Sequence, residues 1–419
     1  MNSLEYIASG LGYIRITLKD LDDRPDKREI IKNIFNRLNT ETEHKFGFLF
    51  NAWTEQKYGE RLEEYKPYVN SVHCDSGGLQ IITRDMKITE EMKKDIYKTQ
   101  AKYCDVAMSF DEIPVTTTNG ASSRNDTTNR FFNEDIFEDC AKQTGKNLLN
   151  QIKAFEEYKT KAKPLLIVQG NDIFTYQKWT ELVLKEIPKN YHDNIGGVAM
   201  GAAALGTGSL EDIIRAFAVK QLPFDVKHLH ILGVGSAIRL IPVLIFMKNG
   251  LYEDIHISYD STSHTSGMIF GRYYDIDGWL KFTNKYEDIV LHPKMYKQIV
   301  EEFDLDNIID YKSMLDIMKH SNSTYAEKTN KCQTDVVIFM TALAASSIKN
   351  FMNHIDLLLK SKNNILNFIE QYENRAIFET LFKIKTLEDF NQWEKQVGRF
   401  ISSSRISKEQ NSNLESFFG

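Results

Sequence analysis

The chain has 419 residues, of which 42% are hydrophobic and 26% are charged, and its formal net charge at pH 7 is −6. This is ordinary globular composition, and the acidic balance excludes a uniformly basic nucleic-acid-binding protein while leaving room for a local basic face. No apolar run approaches the roughly 20 residues that cross a bilayer, and Met1–Gly10 lacks the pattern of a secretory signal. We therefore expect a cytoplasmic protein with no membrane partner.

The cysteines are scattered along the chain rather than paired. No two of them form a CxxC or CxC motif, which argues against a structural zinc site and against a disulfide framework. They are Cys74, Cys104, Cys140 and Cys332. We expect a reducing compartment and an activity that needs neither a metal nor a redox cofactor.

Short β-branched or aromatic runs alternate with stretches of helical spacing through the first part of the chain. The predicted strands are Tyr13–Leu18, Phe46–Ala52, Val69–Cys74, Val106–Phe110, Leu165–Gln169, Gly197–Met200, His230–Gly233 and Ile255–Tyr259. The predicted helices are Asp26–Leu38, Thr89–Tyr103, Glu134–Lys159, Thr175–Glu186, Leu210–Lys220 and Ala237–Lys248. This alternation predicts parallel strands joined by crossover helices, and so many strands favour an α/β fold of the (β/α)8 TIM-barrel type over an open sheet.

The pattern changes after about Phe282, where large apolar residues, lysine and asparagine recur at helical spacing. We predict a barrel domain at residues 1–285 and a mainly helical C-terminal region at residues 286–419. That region either contributes to function or only packs against the barrel. The long polar stretch Thr116–Arg130 predicts a loop, either functional or merely disordered.

Polar residues and glycines follow the carboxyl ends of the predicted strands, where the chemistry of such barrels takes place. In chain order they are Asp75-Ser76-Gly77-Gly78, Asp111, Gln169-Gly170, Gly196–Gly201, Gly233-Val234-Gly235 and Asp260. We therefore expect carboxylates, an amide and several glycines to converge on one rim.

These groups suit the recognition of a planar ring that forms hydrogen bonds. A carboxylate accepts two N–H bonds from an amidine-like edge, and a glutamine amide donates to a ring carbonyl. Glycines leave backbone N–H and C=O groups open to the ring. Two further carboxylates permit displacement at an electrophilic sugar carbon, where one attacks and the other moves protons.

Each element also has a simpler interpretation when it is taken alone. An aspartate at a strand end is commonly a turn or helix N-cap residue. The segment Gly233-Val234-Gly235 lacks the rest of a G-x-G-x-x-G dinucleotide fingerprint. Histidines surround the last two predicted strands, a placement more typical of strand faces and loops than of a metal site. They are His228, His230, His256 and His264.

The order of these segments resembles that in the tRNA-guanine transglycosylases. The shared motifs are Asp-Ser-Gly-Gly-x-Gln at residues 75–80, Ser-Phe-Asp-Glu-x-Pro at 109–114, Val-Gln-Gly at 168–170, Gly-Gly-x-Ala-x-Gly at 196–201, Leu-Gly-Val-Gly at 232–235 and Asp-Ser at 260–261. The resemblance covers roughly Val69–Thr265, about half of the chain. It implies a pentosyltransferase that exchanges one purine-like base for another.

The resemblance also implies a role for individual residues. Asp260 corresponds to the nucleophile that attacks C1′ of the target nucleoside, expels guanine and holds a covalent glycosyl-enzyme. Asp75 corresponds to the general acid and base. Asp111 and Gln169 correspond to residues that bind the guanine-like edge. The other residues that the resemblance assigns to the base pocket are Ser76, Gly170, Gly196, Gly197, Val198 and Ala199.

The chain departs from the tRNA enzymes after the nucleophile. There, a Pro-Thr-Arg segment and a zinc site of three clustered cysteines and a histidine follow; here, Ser261–Gly267 follows and the next cysteine is Cys332. Without a zinc subdomain, the chain is more similar to the DNA 7-deazaguanine transglycosylases of bacterial islands and phages. That branch implies exchange of guanine in DNA for a free 7-deazaguanine base, such as the 7-cyano compound, in a bacterial or phage-infected cell.

Two other functions stay open. One is the same exchange on tRNA, and the other is a catalytically silent barrel that binds nucleic acid or partners an active subunit. If DNA is the substrate, the target nucleotide must be flipped out or single-stranded before an aspartate can reach C1′. Arg124 and Arg130 in the polar stretch are candidate phosphate contacts, and such contacts would make binding strongly dependent on salt.

Overall fold

The computed structural model describes residues 4–14, 21, 24–78, 88–117, 130–201, 209–267, 272–275, 278–281, 293–305, 334–373 and 375–404. In these ranges the strands are β1 Leu4–Ala8, β2 Lys45–Asn51, β3 Val72–Asp75, β4 Val106–Met108, β5 Val115–Thr117, β6 Arg130–Phe132, β7 Lys163–Val168, β8 Gly197–Met200, β9 His228–Ile231, β10 His256–Ser261, β11 Arg272–Asp275 and β12 Gly278–Lys281. Eight of them close into a parallel barrel in the order β1-β10-β9-β8-β7-β4-β3-β2.

The predicted (β/α)8 barrel is thereby confirmed, but its first strand was predicted in the wrong place. The strand is Leu4–Ala8, whereas Tyr13 and Ile14 end the helix Leu11–Ile14, and residues 15–18 of the predicted strand lie outside the described residues. All five residues of β1 are buried, and β1 pairs with both β10 and β2. A buried charged residue, Glu5, interrupts the apolar run and hides this strand in the sequence.

Helices connect the barrel strands, and each predicted helix is present with small shifts at its ends. The described helices of the barrel part are Leu11–Ile14, Pro25–Thr40, Gln56–Leu62, Glu90–Tyr103, Glu134–Glu157, Ile173–Lys185, Ser209–Ala218, Ala237–Lys248 and Ser263–Ser266. Local sequence fixes several of their starts. The Thr89 side chain accepts a hydrogen bond from the backbone N–H of Met92, and Asp172 and Thr175 form a reciprocal capping box.

The C-terminal region is helical, as predicted. Its described helices are Pro293–Phe303, Thr334–Lys360, Lys362–Ile369, Arg375–Leu381 and Leu387–Ser404. The long helix Thr334–Lys360 packs against both Pro25–Thr40 and Ala237–Lys248. It therefore occupies the position of the eighth outer helix, which a (β/α)8 barrel needs to cover its last strand. The division at residue 285 stays a prediction, although this outer helix lies beyond it.

Two apolar layers hold the barrel together. A large core fills the space between the strands and the helices, including those of the C-terminal region. A smaller cluster fills the interior of the barrel and comprises Ile7, Leu49, Met108, Leu165, Ile167 and Ala199. The barrel is thus a packed core rather than a pore. No helix within the described ranges is long and apolar enough to span a membrane.

The two ends of the predicted polar loop form a small antiparallel sheet of β5 and β6. Thr117 pairs with Arg130, and Thr116 pairs with Phe131. Residues 118–129, which include Arg124, lie outside the described residues. The predicted loop is therefore shorter at both ends than its composition indicates.

Candidate active site

The three predicted carboxylates lie at the same end of the barrel. Asp75 is the last residue of β3, Asp260 is the last but one of β10, and Asp111 follows β4. Because the strands are parallel, their carboxyl ends share one rim. Strand pairing alone therefore brings together residues that are far apart in the sequence.

Three neighbouring groups fix the orientation of the Asp260 carboxylate. The Ser9 hydroxyl donates to Oδ2 at 3.1 Å, and the backbone N–H of Gly233 donates to Oδ1 at 2.8 Å. His230 Nε2 lies 3.4 Å from the same Oδ1. Asp260 is itself buried. Its carboxylate therefore has a defined direction at the rim, which a nucleophile requires.

His230 is held in turn by a buried serine. Its Nδ1 lies 2.8 Å from the Ser258 hydroxyl, which is also 2.7 Å from His228 Nε2. Burial and the neighbouring histidines hold the pKa of His228 and of His73 well below the usual range, so both rings are neutral at pH 7. Of the four histidines that surround the last predicted strands, His228, His230 and His256 lie on barrel strands, whereas His264 lies in the short helix Ser263–Ser266. In the described part of the chain, no group of three or more His, Cys, Asp or Glu side chains is arranged to hold a metal ion.

Asp75 is poised to exchange a proton near neutral pH. Burial and then the negative charge of Asp260 raise its pKa to about 6, against the backbone N–H groups of Gly77 and Ser76, which stabilise the ionised form. The side-chain amide of Asn51 donates to Asp75 Oδ2 at 3.2 Å and orients it. A carboxyl group with such a pKa can act both as an acid and as a base.

Close packing leaves little room for side chains at the two glycines after Asp75. Gly77 has a φ of +84°, and a Cβ there would lie 2.8 Å from Asn51 Oδ1. A Cβ on Gly78 would lie 3.3 Å from Asp111 Oδ1. Ser76 is buried and its hydroxyl accepts from the backbone N–H of Gly78 at 3.4 Å. The turn therefore fits between the ends of two neighbouring strands because it lacks side chains there.

Asp111 and Gln169 form a buried pair with spare hydrogen-bonding capacity. Gln169 Nε2 donates to Asp111 Oδ2 at 2.8 Å, while Gln169 Oε1 is buried and has no partner in the part of the chain that the structure describes. Burial raises the pKa of Asp111 to about 7, opposed by Gln169 and reinforced by the charge of Asp75. Gly201 covers the amide so closely that a Cβ would lie 2.5 Å from Oε1. An unsatisfied buried acceptor is costly, so Gln169 Oε1 is a candidate hydrogen-bond acceptor for a ligand.

Several residues predicted to line the base pocket lie elsewhere. Gly197 begins β8, so Gly196 and Gly197 lie at the amino end of that strand, opposite the rim that carries the carboxylates. Val198 belongs to the outer core, and Ala199 belongs to the interior apolar cluster. The expectation that these four residues share a pocket wall with the carboxylates is therefore corrected, because the carboxyl end of β8 is Met200, followed by Gly201.

The remaining predicted residues have simple placements. Gly170 follows β7 at the rim, where a Cβ would lie 2.9 Å from the ring of Tyr176, so a side chain would not fit without a shift. Its predicted contact with the base stays a prediction. Arg130 begins β6, with only its backbone described, and Arg124 lies outside the described residues. Their predicted phosphate contacts stay predictions.

Sequence reasoning missed three residues that position the carboxylates. Asn51 is the last residue of β2 and the last but one of the predicted strand Phe46–Ala52, so a polar residue near a strand end was a usable signal there, as at Asp75. Ser9 follows the strand that was misplaced, and His230 lies within a strand where nothing in the sequence marks its direction.

The geometry combines an oriented carboxylate, a carboxyl group with a pKa near neutrality, and a buried acid–amide pair whose amide oxygen has no partner among the described residues. A scan against protein-family models found no matching family, and a search of curated proteins found no significantly similar sequence. The site therefore has to be interpreted from its own chemistry and from the resemblance of its motifs.

Proposed function

We propose that this protein is a pentosyltransferase that exchanges guanine in DNA for a free 7-deazaguanine base through a covalent Asp260 intermediate. One observation carries the proposal: Asp260, Asp75 and Asp111 lie at one rim of the barrel in three different electrostatic settings. Carboxyl groups whose environments differ in this way typically divide acid, base and nucleophilic roles among themselves.

In the first half-reaction, an Asp260 oxygen attacks C1′ of the target nucleoside. The C1′–O bond forms, the bond from C1′ to the guanine nitrogen breaks, and the protonated Asp75 transfers its proton to the departing base. The contacts from Ser9 and Gly233 hold Asp260 in position for this attack. The pKa of Asp75, about 6, leaves a sufficient fraction protonated near neutral pH.

In the second half-reaction, ionised Asp75 removes the ring N–H proton of the incoming 7-deazaguanine. The freed nitrogen attacks C1′ and releases the Asp260 carboxylate. The proton given up in the first step is thus recovered in the second, and the exchange needs no oxidant or reductant. The protein returns to its starting state with one base replaced by another.

The pair of Asp111 and Gln169 is suited to select the base. An ionised Asp111 accepts two N–H bonds from the amidine-like edge that guanine and 7-deazaguanine share. The unpartnered Gln169 Oε1 and the second hydrogen of Gln169 Nε2 remain for other polar atoms of the ring. A pyrimidine or adenine lacks this combination of donors and acceptors.

The choice of DNA over tRNA rests on the resemblance. The stretch after Asp260 carries no clustered cysteines, in contrast to the zinc-bearing tRNA enzymes. Either polymer must present an unstacked nucleoside, because the Asp260 carboxylate lies at a buried rim position that a stacked base cannot approach.

The test is incorporation of a labelled base by the purified full-length protein. Isotopically labelled guanine or 7-cyano-7-deazaguanine is offered with duplex DNA, single-stranded DNA or tRNA, and the nucleosides are then analysed after digestion. We expect the label in deoxynucleosides. Label in tRNA alone would overturn the DNA assignment, and no label in any polymer would support the silent-barrel alternative.

A further inference from the structure

The loop after the seventh barrel strand, β9, joins an arginine to the proposed nucleophile. Arg239 Nη1 donates to the backbone carbonyl of Gly233 at 2.6 Å, and the N–H of the same glycine donates to Asp260 Oδ1 at 2.8 Å. A single residue therefore separates the guanidinium group from the carboxylate. Arg239 is partly exposed at the rim, with 20% of its side chain accessible.

A buried aspartate holds this arginine together with a second one. Asp212 accepts from Arg239 Nε and Nη2, each at 3.2 Å, and also from Arg215 Nη2. Arg215 and Asp212 are both buried, and within the described ranges Arg215 Nε and Nη1 have no hydrogen-bond partner. Two guanidinium groups thus share the Asp212 carboxylate, and Arg215 retains donors that no described residue uses.

Among the residues that the structure describes, the space beside Gly233 is open and suited to an anion. Gly233 is exposed, and a Cβ added to it would meet no described atom within 4 Å. The helix Ala237–Lys248 begins next to it with no acidic residue in its first turn and no side-chain cap from Ser236. Its first N–H groups and its dipole therefore favour negative charge. The loops after the seventh and eighth strands are a frequent location of phosphate sites in such barrels.

We propose that Arg239 and the start of the helix Ala237–Lys248 bind a DNA phosphodiester that flanks the target nucleoside. The inference rests on the proposed function, since it names how that function holds its polymer. Asp212 accepts hydrogen bonds from Nε and Nη2 of Arg239, and the carbonyl of Gly233 accepts one from Nη1. The second hydrogen of Nη1 is therefore left for a phosphate oxygen. A guanidinium held in this way forms a strong, directional bond to phosphate. The phosphate contact fixes the strand so that C1′ faces Asp260.

The experiment is a thermodynamic cycle in which the arginine is changed in the protein and a flanking phosphate is changed in the DNA. Oligonucleotides with one target guanine carry a neutral methylphosphonate at each flanking phosphate in turn. Their Kd values are measured by fluorescence anisotropy with wild-type protein, with Arg239→Gln and with Arg375→Gln. The last variant removes the same charge at an exposed helix position paired with Glu370 and Glu379, so it serves as the matched control.

We expect one methylphosphonate to weaken wild-type binding by about tenfold or more, the range for a hydrogen bond to a charged group. Arg239→Gln weakens binding of unmodified DNA to a similar degree, and the same methylphosphonate then has no further effect. The slope of log Kd against log salt falls by about one for Arg239→Gln. Arg375→Gln behaves like the wild type throughout. Thermal denaturation and binding of free guanine verify that Arg239→Gln is folded.

Equal sensitivity of Arg239→Gln and the wild type to every methylphosphonate would overturn the inference, and Arg239 would then be only a structural partner of Asp212. The proposed function has its own readout in the wild-type arm. If Arg239→Gln removes the effect of a methylphosphonate only in RNA oligonucleotides of the same design, the phosphate site is supported and DNA as the substrate is contradicted. If wild-type protein binds neither polymer, both proposals fall.

Discussion

The barrel has buried carboxyl groups at both ends, and the groups that surround them differ between the two ends. At the amino end, Glu5 accepts from the Ser71 hydroxyl at 2.6 Å and from the Asn70 amide at 2.9 Å, and its other oxygen lies 3.0 Å from His256 Nε2. At the carboxyl end, burial and, to a smaller extent, the charge of a neighbouring carboxylate raise the pKa of Asp75 and of Asp111. At the amino end, hydrogen-bond donors compensate the charge of Glu5. At the carboxyl end, several carboxyl groups lie close together although the fold does not need them there.

The contrast separates the part of the barrel that stabilises the fold from the part suited to chemistry. A buried carboxylate surrounded by donors supports the fold, because its hydrogen bonds offset the loss of water. Carboxylates crowded together are unfavourable for the fold and persist where a function requires them. We therefore expect substitutions at the amino end to change the free energy of unfolding, and substitutions at the carboxyl end to change activity.

Asp260→Asn should have the strongest effect of any single substitution at the rim. Removal of the nucleophile should lower base exchange by about 10⁴-fold or more, as for other covalent catalysts, while the melting temperature changes little because asparagine still accepts from Gly233. The rate is measured by incorporation of labelled base and the stability by calorimetry. Wild-type exchange by this variant would remove Asp260 from the mechanism. Asp225 is exposed and lies away from the rim, so Asp225→Asn, which also removes one negative charge, serves as the control.

The next effect compares stability at the two ends. Glu5→Gln should lower the free energy of unfolding by about 2 kcal/mol, because the contacts with Ser71, Asn70 and His256 then lose their charged acceptor. Asp111→Asn should raise the free energy of unfolding at pH 7 instead, by up to a few kcal/mol. Urea denaturation of both variants measures this contrast. A lower free energy of unfolding for the Asp111→Asn variant at pH 7 would contradict the assignment of Asp111 to function.

The sign of the Asp111 effect follows from proton linkage. Its pKa is about 7 in the folded protein and near 4 in the unfolded chain, so the folded state holds the proton more tightly. Ionisation therefore costs stability as the pH rises from about 4 to about 7. The gain from Asp111→Asn should be largest at pH 7 and should shrink as the pH falls towards 4.

A milder effect concerns the pH dependence of base binding. Asp111 must be ionised to accept two N–H bonds, so the affinity for guanine should fall by about tenfold for each pH unit below 7. Calorimetric titration of free guanine between pH 5 and pH 8 measures this slope. A flat profile would show that Asp111 does not contact the base. Asp111→Asn should bind weakly at every pH and should lose the slope.

Most of the fold and the carboxylates of the site followed from simple patterns, because parallel strands place their carboxyl ends on one rim. The errors have physical causes. Glu5 breaks the apolar pattern of β1. Its partners Asn70 and Ser71 lie directly before β3, far from β1 in the sequence. Gly196 and Gly197 were placed at the wrong end of β8, because a glycine pair before a short strand has the same local signature as one after it. The position of His230 beside Asp260 could not be predicted, because it depends on the register of β9 against β10.

The proposed mechanism depends above all on a covalent bond between Asp260 and the DNA sugar at this rim. The direct measurement is mass spectrometry of full-length protein that has been incubated with a guanine-containing oligonucleotide and then denatured rapidly. We expect a protein–DNA adduct that maps to the peptide containing Asp260, that disappears on addition of excess free base, and that is absent from Asp260→Asn. An adduct on another residue, or exchange of labelled base with no dependence on Asp260, would contradict the mechanism.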